Sequence, residues 1–389
     1  MSLRNRLSGP PLMETKEPFS IRVVYVTPYS MNRITGIGRF VEDLARKVRG
    51  ADREAAIICP DDSGGAASVY HWRVRLTWPR LRNVQLAAGT AMLLVQRRRS
   101  YDVLHVQQAH LQTLVAIVVA KVLGKPSLLT LHLRVPRPLG AMKQVAQRIV
   151  ESLSIAAPVR TVAVSRAVAD SFGNNLISIV ENGVDTEVFK PSAPDREELR
   201  RNLLIEHEFT FLFVGRWATV KGLDILLQAL RQPALENSPF RLLIVGEQSS
   251  DEPGFLTECF SRFGMDSRVL VVGPVERPEA YMNAADAFVL PSRSEGMPLV
   301  FLESLATGLP VLASDLPVHT RIAAEGECAW TFRSEDPDDL SRKMKRILES
   351  GVSNDMRKNA RTVSVRAFSL DRAFSDYLRL YADIIGLSS

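Results

Sequence analysis

Short apolar runs alternate with helical stretches through the first half of the chain and again through the second, and this constrains the fold more than any other feature. In the first half the runs fall at 21–27, 55–59, 102–106, 127–131, 161–164 and 177–180. Helical stretches near 38–49, 84–99, 110–123, 138–156 and 166–173 lie between them. Continuous apolar runs of this length fit parallel strands covered on both faces, because a strand with one wet face alternates instead. Glu181-Asn182-Gly183-Val184-Asp185 reads as a turn, and residues 191–194 as a linker. The pattern restarts at 209–214, with a helix from about Lys221 and strands at 241–245, 268–272, 287–290 and 311–313. From about 337 onward the chain is helical, and its last segment, 370–385, has no strand after it. Two βαβ series, each long enough for a doubly wound sheet, predict an α/β chain of two Rossmann-like domains.

Charge supports a boundary near 190. Residues 1–190 hold 26 Lys and Arg against 14 Asp and Glu, and residues 191–389 hold 23 against 29. A basic front half suits an acidic partner: an anionic membrane surface, a phosphorylated acceptor or nucleic acid. Nucleic acid is disfavoured, since there is no zinc spacing, RNA-binding signature or basic stripe interleaved with aromatics. Cys59, Cys259 and Cys328 are far apart, without metal or redox spacing, and read as buried thiols in a reducing cytoplasm. Residues 1–20 lack an apolar core and read as a flexible tail rather than a signal peptide. The run 114–120 is too short to span a bilayer and reads as buried helix.

In doubly wound sheets ligands bind beyond the carboxyl ends of the strands, so residues that follow strands are the candidates. Glu295 and Glu303 follow the run 287–290 across a loop that leads into a helix start, with Pro298 suited to the first helical position. A helix N-terminus offers unpaired N–H groups to an anion, and one acid on either side of it matches hydroxyls flanking a diphosphate. The competing reading is a solvated loop glutamate and a capping one. Gly215-Arg216 ends a strand and Lys221-Gly222 begins a helix, placing a planar fork and a compact charge where a diphosphate gains negative charge. Two solvated surface cations are the alternative there. Thr35-Gly36-Ile37-Gly38-Arg39-Phe40 reads as a glycine-containing loop between the first strand and first helix, short of a dinucleotide fingerprint. His132 follows the fourth strand and by itself reads as a structural histidine.

Taken together these segments resemble glycosyltransferase family 4, retaining enzymes of the GT-B fold, over nearly the whole chain. The motif carrying most of the resemblance is Glu295 with Glu303 eight positions further along, inside the segment 291–311. The resemblance implies that Arg216 and Lys221 hold the donor diphosphate and stabilise the departing nucleotide. It implies that Glu295 contacts hexose hydroxyls, that Glu303 binds ribose hydroxyls, and that the backbone of Gly296, Met297, Pro298, Leu299 and Val300 touches the sugar and phosphates. Gly36 and Gly38 let the first domain approach the diphosphate, Gly215 opens the cation loop, and His132 sits beside the transferred sugar and the acceptor. Val272, Gly273, Pro274 and Val275 line the base pocket. No metal cofactor is implied, and the donor is a UDP- or GDP-hexose. Domains at 21–190 and 191–369 follow, with the final helix (370–389) crossing back onto the first. The implied activity is hexose transfer to a glycan, lipid-linked or small-molecule acceptor; a nucleotide-sugar 2-epimerase or a non-catalytic nucleotide-sugar-binding subunit are the alternatives.

The sequence departs from the family behind the strand at 311–313, where Ser314–Arg321 puts an arginine near a frequent acid, and again in 328–332, where a common glycine is replaced. Both changes touch the back of the donor pocket. On the acceptor side, 72–82 interleaves cations with large apolar groups, and an apolar helix ends in Arg97-Arg98-Arg99. This arrangement suits either an anionic membrane or a core helix whose arginines follow the C-terminal dipole.

Overall fold

The computed structural model describes residues 20–29, 36–51, 53–60, 71–74, 81–133, 141–173, 177–264 and 266–387. Residues 1–19 of the expected tail, Thr35, and residues 75–80 of the segment 72–82 lie outside these.

The first sheet contains β1 (Arg22–Val26), β2 (Glu54–Pro60), β3 (His71–Val74), β4 (Val103–Gln107), β5 (Ser127–Leu131), β6 (Arg160–Ala163) and β7 (Ser178–Ile179). All its pairings are parallel, in the order β3-β2-β1-β4-β5-β6-β7. The second contains β8 (Thr210–Val214), β9 (Arg241–Val245), β10 (Val269–Gly273), β11 (Ala287–Leu290), β12 (Val311–Ser314) and β13 (Ala329–Phe332), in the order β10-β9-β8-β11-β12-β13. Each order reverses beside its first strand, between β1 and β4 and again between β8 and β11. Those reversals are the switch points where doubly wound sheets open a crevice.

Two strands were not expected from the sequence, β3 and β13. Both are edge strands, which need less apolar surface than central ones, so His71-Trp72-Arg73-Val74 and Ala329-Trp330-Thr331-Phe332 do not read as continuous apolar runs. The first helix, Gly36–Gly50, corrects a further expectation: Gly36 and Gly38 lie inside its first turn rather than in a loop before it.

Alternate residues of β1 serve two layers. Val23 and Tyr25 pack under helix Gly36–Gly50 and the final helix, Leu370–Ile384. Val24 and Val26 pack on the opposite side, with Leu86, Leu94, Ala116 and Ile117 from helices Arg82–Gln96 and Leu111–Val122. The final helix thus belongs to the first domain's core. Buried polar pairs lock it there: the Tyr381 hydroxyl lies 2.7 Å from His105 Nδ1 and 3.1 Å from the Tyr25 hydroxyl, and Tyr377 lies 3.1 Å from Thr130 Oγ1. The two chain crossings between domains are stitched together, since Val184 donates to Phe368 O and Leu370 donates to Val184 O. A Cβ on Gly183 would sit 2.4 Å from the Ser369 carbonyl oxygen, so only glycine fits that crossing.

Candidate functional site

The second domain's switch point assembles the cations and the first glutamate. After β8 the chain turns through Gly215-Arg216 into a short 3-10 turn, Thr219–Lys221, and Gly222 starts the next helix with φ +68°. A Cβ at Gly222 would lie 1.9 Å from the Pro291 carbonyl oxygen, which lets the cation loop press against the loop after β11. Across that contact the Lys221 ammonium donates to Glu295 Oε1 at 2.7 Å, and the Ser292 hydroxyl donates to the same oxygen at 2.8 Å. Arg293 clamps the two loops from outside, with both guanidinium ends on the Asp224 carboxylate at 2.7 and 2.8 Å.

Burial alone would push the Glu295 carboxyl upward. The Lys221 charge and hydrogen bond, helped by His319 and Ser292, outweigh it and hold the carboxyl below its ordinary value. Arg216, in the loop that leads to Lys221, is half-buried, and among the described residues no hydrogen-bond or ion-pair partner meets its guanidinium. A half-buried guanidinium with unused donors is suited to a phosphate oxygen.

The glutamate loop runs into helix Leu299–Ala306, with Pro298 as its cap residue rather than its first helical residue. The first N–H groups of such a helix have no intrahelical acceptor and face the switch point with a partial positive charge. Gly296 abuts the other domain. A Cβ there would lie 1.6 Å from the His132 carbonyl oxygen, so no larger residue fits without moving a strand end. Met297 is held from the same side, its carbonyl accepting from Asn182 Nδ2 at 3.1 Å.

His132 is buried and donates from Nε2 to Gln107 Oε1 at 2.8 Å. Its backbone N–H is taken by Gln108 Oε1 at 2.9 Å, and Gln108 holds φ at +66°, a conformation that costs a non-glycine residue energy. The strained Gln108 therefore braces the loop that carries His132. Sequence reading passed over both glutamines, although each follows or ends a central strand and so carried the same positional signal as His132.

Glu303 is buried, its Oε1 accepting from Arg39 of the first domain at 2.6 Å. No partner among the described residues meets its Oε2. Arg39 was not expected at the site. It lies one residue past Gly38 in the first turn of helix Gly36–Gly50, and only the approach of the two domains brings it to Glu303. Gly36 lies against Leu299, where a Cβ would be 3.9 Å from Cδ1. Val272 and Gly273 end β10 on the sheet's edge, Gly273 with φ +91°, and Pro274 and Val275 follow in the loop; Val272 and Val275 are half-buried.

Behind Glu295, the segment that departs from the family pattern supplies a histidine. His319 is fully buried; its Nδ1 donates to the Ser314 carbonyl at 2.8 Å, and its Nε2 has no partner. Burial holds its pKa down, opposed by the Glu295 charge and the Ser314 carbonyl. Arg321, two residues on, is instead exposed and pairs with Glu325.

Models of two families tile this chain: the Glycosyltransferase Family 4 model over residues 34–188 and the Glycosyl transferases group 1 model over residues 195–363. A D-inositol 3-phosphate glycosyltransferase of Catenulispora acidiphila is 30% identical over 302 residues, covering 70% of this chain and 68% of that protein. The chain belongs to the family 4 glycosyltransferases. A UDP-Gal:alpha-D-GlcNAc-diphosphoundecaprenol alpha-1,3-galactosyltransferase of Escherichia coli is 29% identical over 216 residues, covering 53% of this chain and 54% of that protein. Anabaena HepE, solved in complex with UDP, superposes with a TM-score of 0.77 at 18% identity, covering 93% of this chain and 100% of that one, which establishes the GT-B fold. The chain spans about half the length of the first curated relatives it matches.

In this family 4 chain the charge state of His132 has a measurable consequence. Unfolded, its imidazole titrates near the ordinary 6.5, whereas burial holds it down to about 3 in the folded chain. Between those values the unfolded state binds the extra proton, so stability falls as pH drops through the window, by about 1.4 kcal/mol per pH unit. Burial of His105 and His319 acts in the same direction, which makes the variant comparison the decisive one. Urea unfolding of His132→Gln between pH 6.5 and 5 is expected to show a shallower slope than wild type; equal slopes would refute the assignment.

Proposed function

We propose that this chain is a retaining, metal-independent glycosyltransferase that moves a hexose from a UDP- or GDP-hexose to a glycan, lipid-linked or small-molecule acceptor. The observation that carries the reading is the Lys221–Glu295 contact at a helix N-terminus and opposite His132, with Arg216, which meets no partner among the described residues, five positions before Lys221 in the same loop. Charge develops on the departing diphosphate, and preorganised cations aimed at it stabilise the transition state far more than they would in water. Arg216, Lys221 and the N–H groups at Leu299 and Val300 fill that role. Glu295, kept ionised by Lys221, accepts from hexose hydroxyls. Glu303 accepts from ribose hydroxyls through Oε2, while Arg39 fixes its orientation through Oε1. Val272–Val275 border the base.

In the transfer step the bond between the anomeric carbon and the diphosphate oxygen breaks. The acceptor oxygen bonds to that carbon on the face the nucleotide leaves, and the acceptor's proton passes to the departing phosphate oxygen. His132, neutral, donates to Gln107 and lines the acceptor side rather than taking this proton. The diphosphoundecaprenol-linked acceptor named for the Escherichia coli relative supports a lipid-linked acceptor here. The buried cysteines fit a cytoplasmic site of action.

A panel of UDP-, GDP- and ADP-hexoses, scored by thermal shift and then by transfer or hydrolysis with the best hit, tests the proposal. A true donor at about 100 times its Kd adds about 2.7 kcal/mol of stability. No stabilisation by any nucleotide sugar would falsify the reading. Epimerised sugar as the product would assign the site to the 2-epimerase alternative.

A further inference from the structure

Helices Arg82–Gln96, Leu111–Val122 and Ala141–Ala156 lie side by side over one face of the first sheet. Their inner sides bury residues such as Leu86, Leu94 and Ile117. Their outer sides do not turn polar, as the outer face of a soluble domain's helix layer ordinarily does. The first helix exposes Val84, Met92 and Val95. The second exposes Val118 and Val122, the latter by 82%, and the third exposes Val145, Ile149 and Leu153. The last two sets repeat every four residues, so each forms one stripe along its helix. With Leu81 and Val159 at the ends, this face holds ten of the sixteen exposed large hydrophobics among the described residues. Exposed apolar residues scattered singly need no explanation, but this concentration on one layer does.

The charge on the same face selects the occupant. The three helices contain one acid, Glu151, which is buried and accepts from Gln147 at 3.0 Å. Cations are plentiful and exposed: Arg97, Arg98 and Arg99 after the first helix, Lys121 in the second, Arg148 in the third and Arg160 just beyond it. A protein partner of mixed surface charge would find no acid here to pair with its own cations. A layer of anionic phosphates over hydrocarbon finds both of its requirements met. No helix among the described residues is long and apolar enough to cross a membrane.

We propose that this three-helix face is a peripheral binding surface for anionic phospholipid. The apolar stripes enter the acyl boundary, and Arg97–Arg99, Lys121 and Arg148 engage headgroup phosphates. The surface stands on its own observations and does not depend on which sugar is transferred. Each helix follows the carboxyl end of a strand, so one end of the membrane-facing layer borders the cleft.

Sedimentation of the full chain with vesicles tests this, using phosphatidylcholine alone and an equal mixture with phosphatidylglycerol. Wild type is expected to bind the mixed vesicles, more weakly at high salt, and to leave phosphatidylcholine largely unbound. Arg97→Gln/Arg98→Gln/Arg99→Gln is expected to lower the partition coefficient about a hundredfold, on the basis of the usual contribution of each surface cation. Val122→Glu/Ile149→Glu changes only well-exposed positions and is expected to release the protein while its melting temperature stays near wild type. Wild type remaining in the supernatant with both vesicle types overturns the proposal, as does binding that neither variant weakens. A dimer that the Val122→Glu/Ile149→Glu variant dissociates, with no vesicle binding, assigns the face to a second copy of the chain and overturns it too.

Discussion

Replacing Arg216 and Lys221 together with alanine is expected to lower kcat by about four orders of magnitude, taking about a hundredfold for each preorganised charge aimed at the leaving group. Affinity for the donor sugar nucleotide should fall much less, because the negative charge to be stabilised grows only as the bond to the sugar breaks. The two single variants separate in a second way. Arg216 has no partner among the described residues, so its removal should leave stability within about 0.5 kcal/mol of wild type. Lys221 sits on the Glu295 carboxylate at 2.7 Å, with only 22% and 9% of the two side chains exposed. Removing it strands a buried charge at a cost of about 3 kcal/mol. Lys221→Met with Glu295→Gln should recover most of that stability and none of the activity. Urea unfolding alongside steady-state kinetics reads both effects; a double alanine variant within tenfold of wild-type kcat would sink the leaving-group role.

Glu303→Ala is expected to raise the donor Kd by about 10- to 100-fold, since hydrogen bonds to a charged group contribute about 1.5–3 kcal/mol. Arg39→Ala should lose part of the same affinity without touching the donor's leaving group, because it holds one carboxylate oxygen and leaves the other open. Residues that act through one another do not add, so the double variant should resemble Glu303→Ala, with a coupling of about 1 kcal/mol. Additive losses in nucleotide titrations would mean that Arg39 binds the donor by itself. Tighter donor binding by Arg39→Ala would mean that it blocks the carboxylate instead.

The central strands were legible because burial on both faces demands unbroken apolar runs, and 127–131, 241–245 and 287–290 coincide with β5, β9 and β11. The edge strands β3 and β13 were not, because an edge tolerates the cations and aromatics that disguise them. At the site, the order of Gly215-Arg216, Lys221 and Glu295 after strand ends marked them as candidates, since doubly wound sheets gather whatever follows their strands. Gly36 and Gly38 were placed as loop glycines although they sit inside a helix; glycine's permissive backbone carries little information about which element it joins. His319 was obscured by its segment's departure from the family pattern, which drew notice to Arg321, two residues away and exposed.

Local periodicity and the residues following each strand determined two doubly wound domains and a set of acids and cations at their switch points. Pairing was decided elsewhere. That Lys221 meets Glu295, that Arg39 reaches Glu303 from 264 positions away, and that Gly296 presses on the His132 carbonyl depend on how closely two separately folded sheets approach. So does the emergence of three helices' apolar stripes on one face, which follows from their crossing to the same side of the sheet. A sequence specifies each helix's stripe through its own 3.6-residue period, but which stripe is covered is settled only by what lies against it.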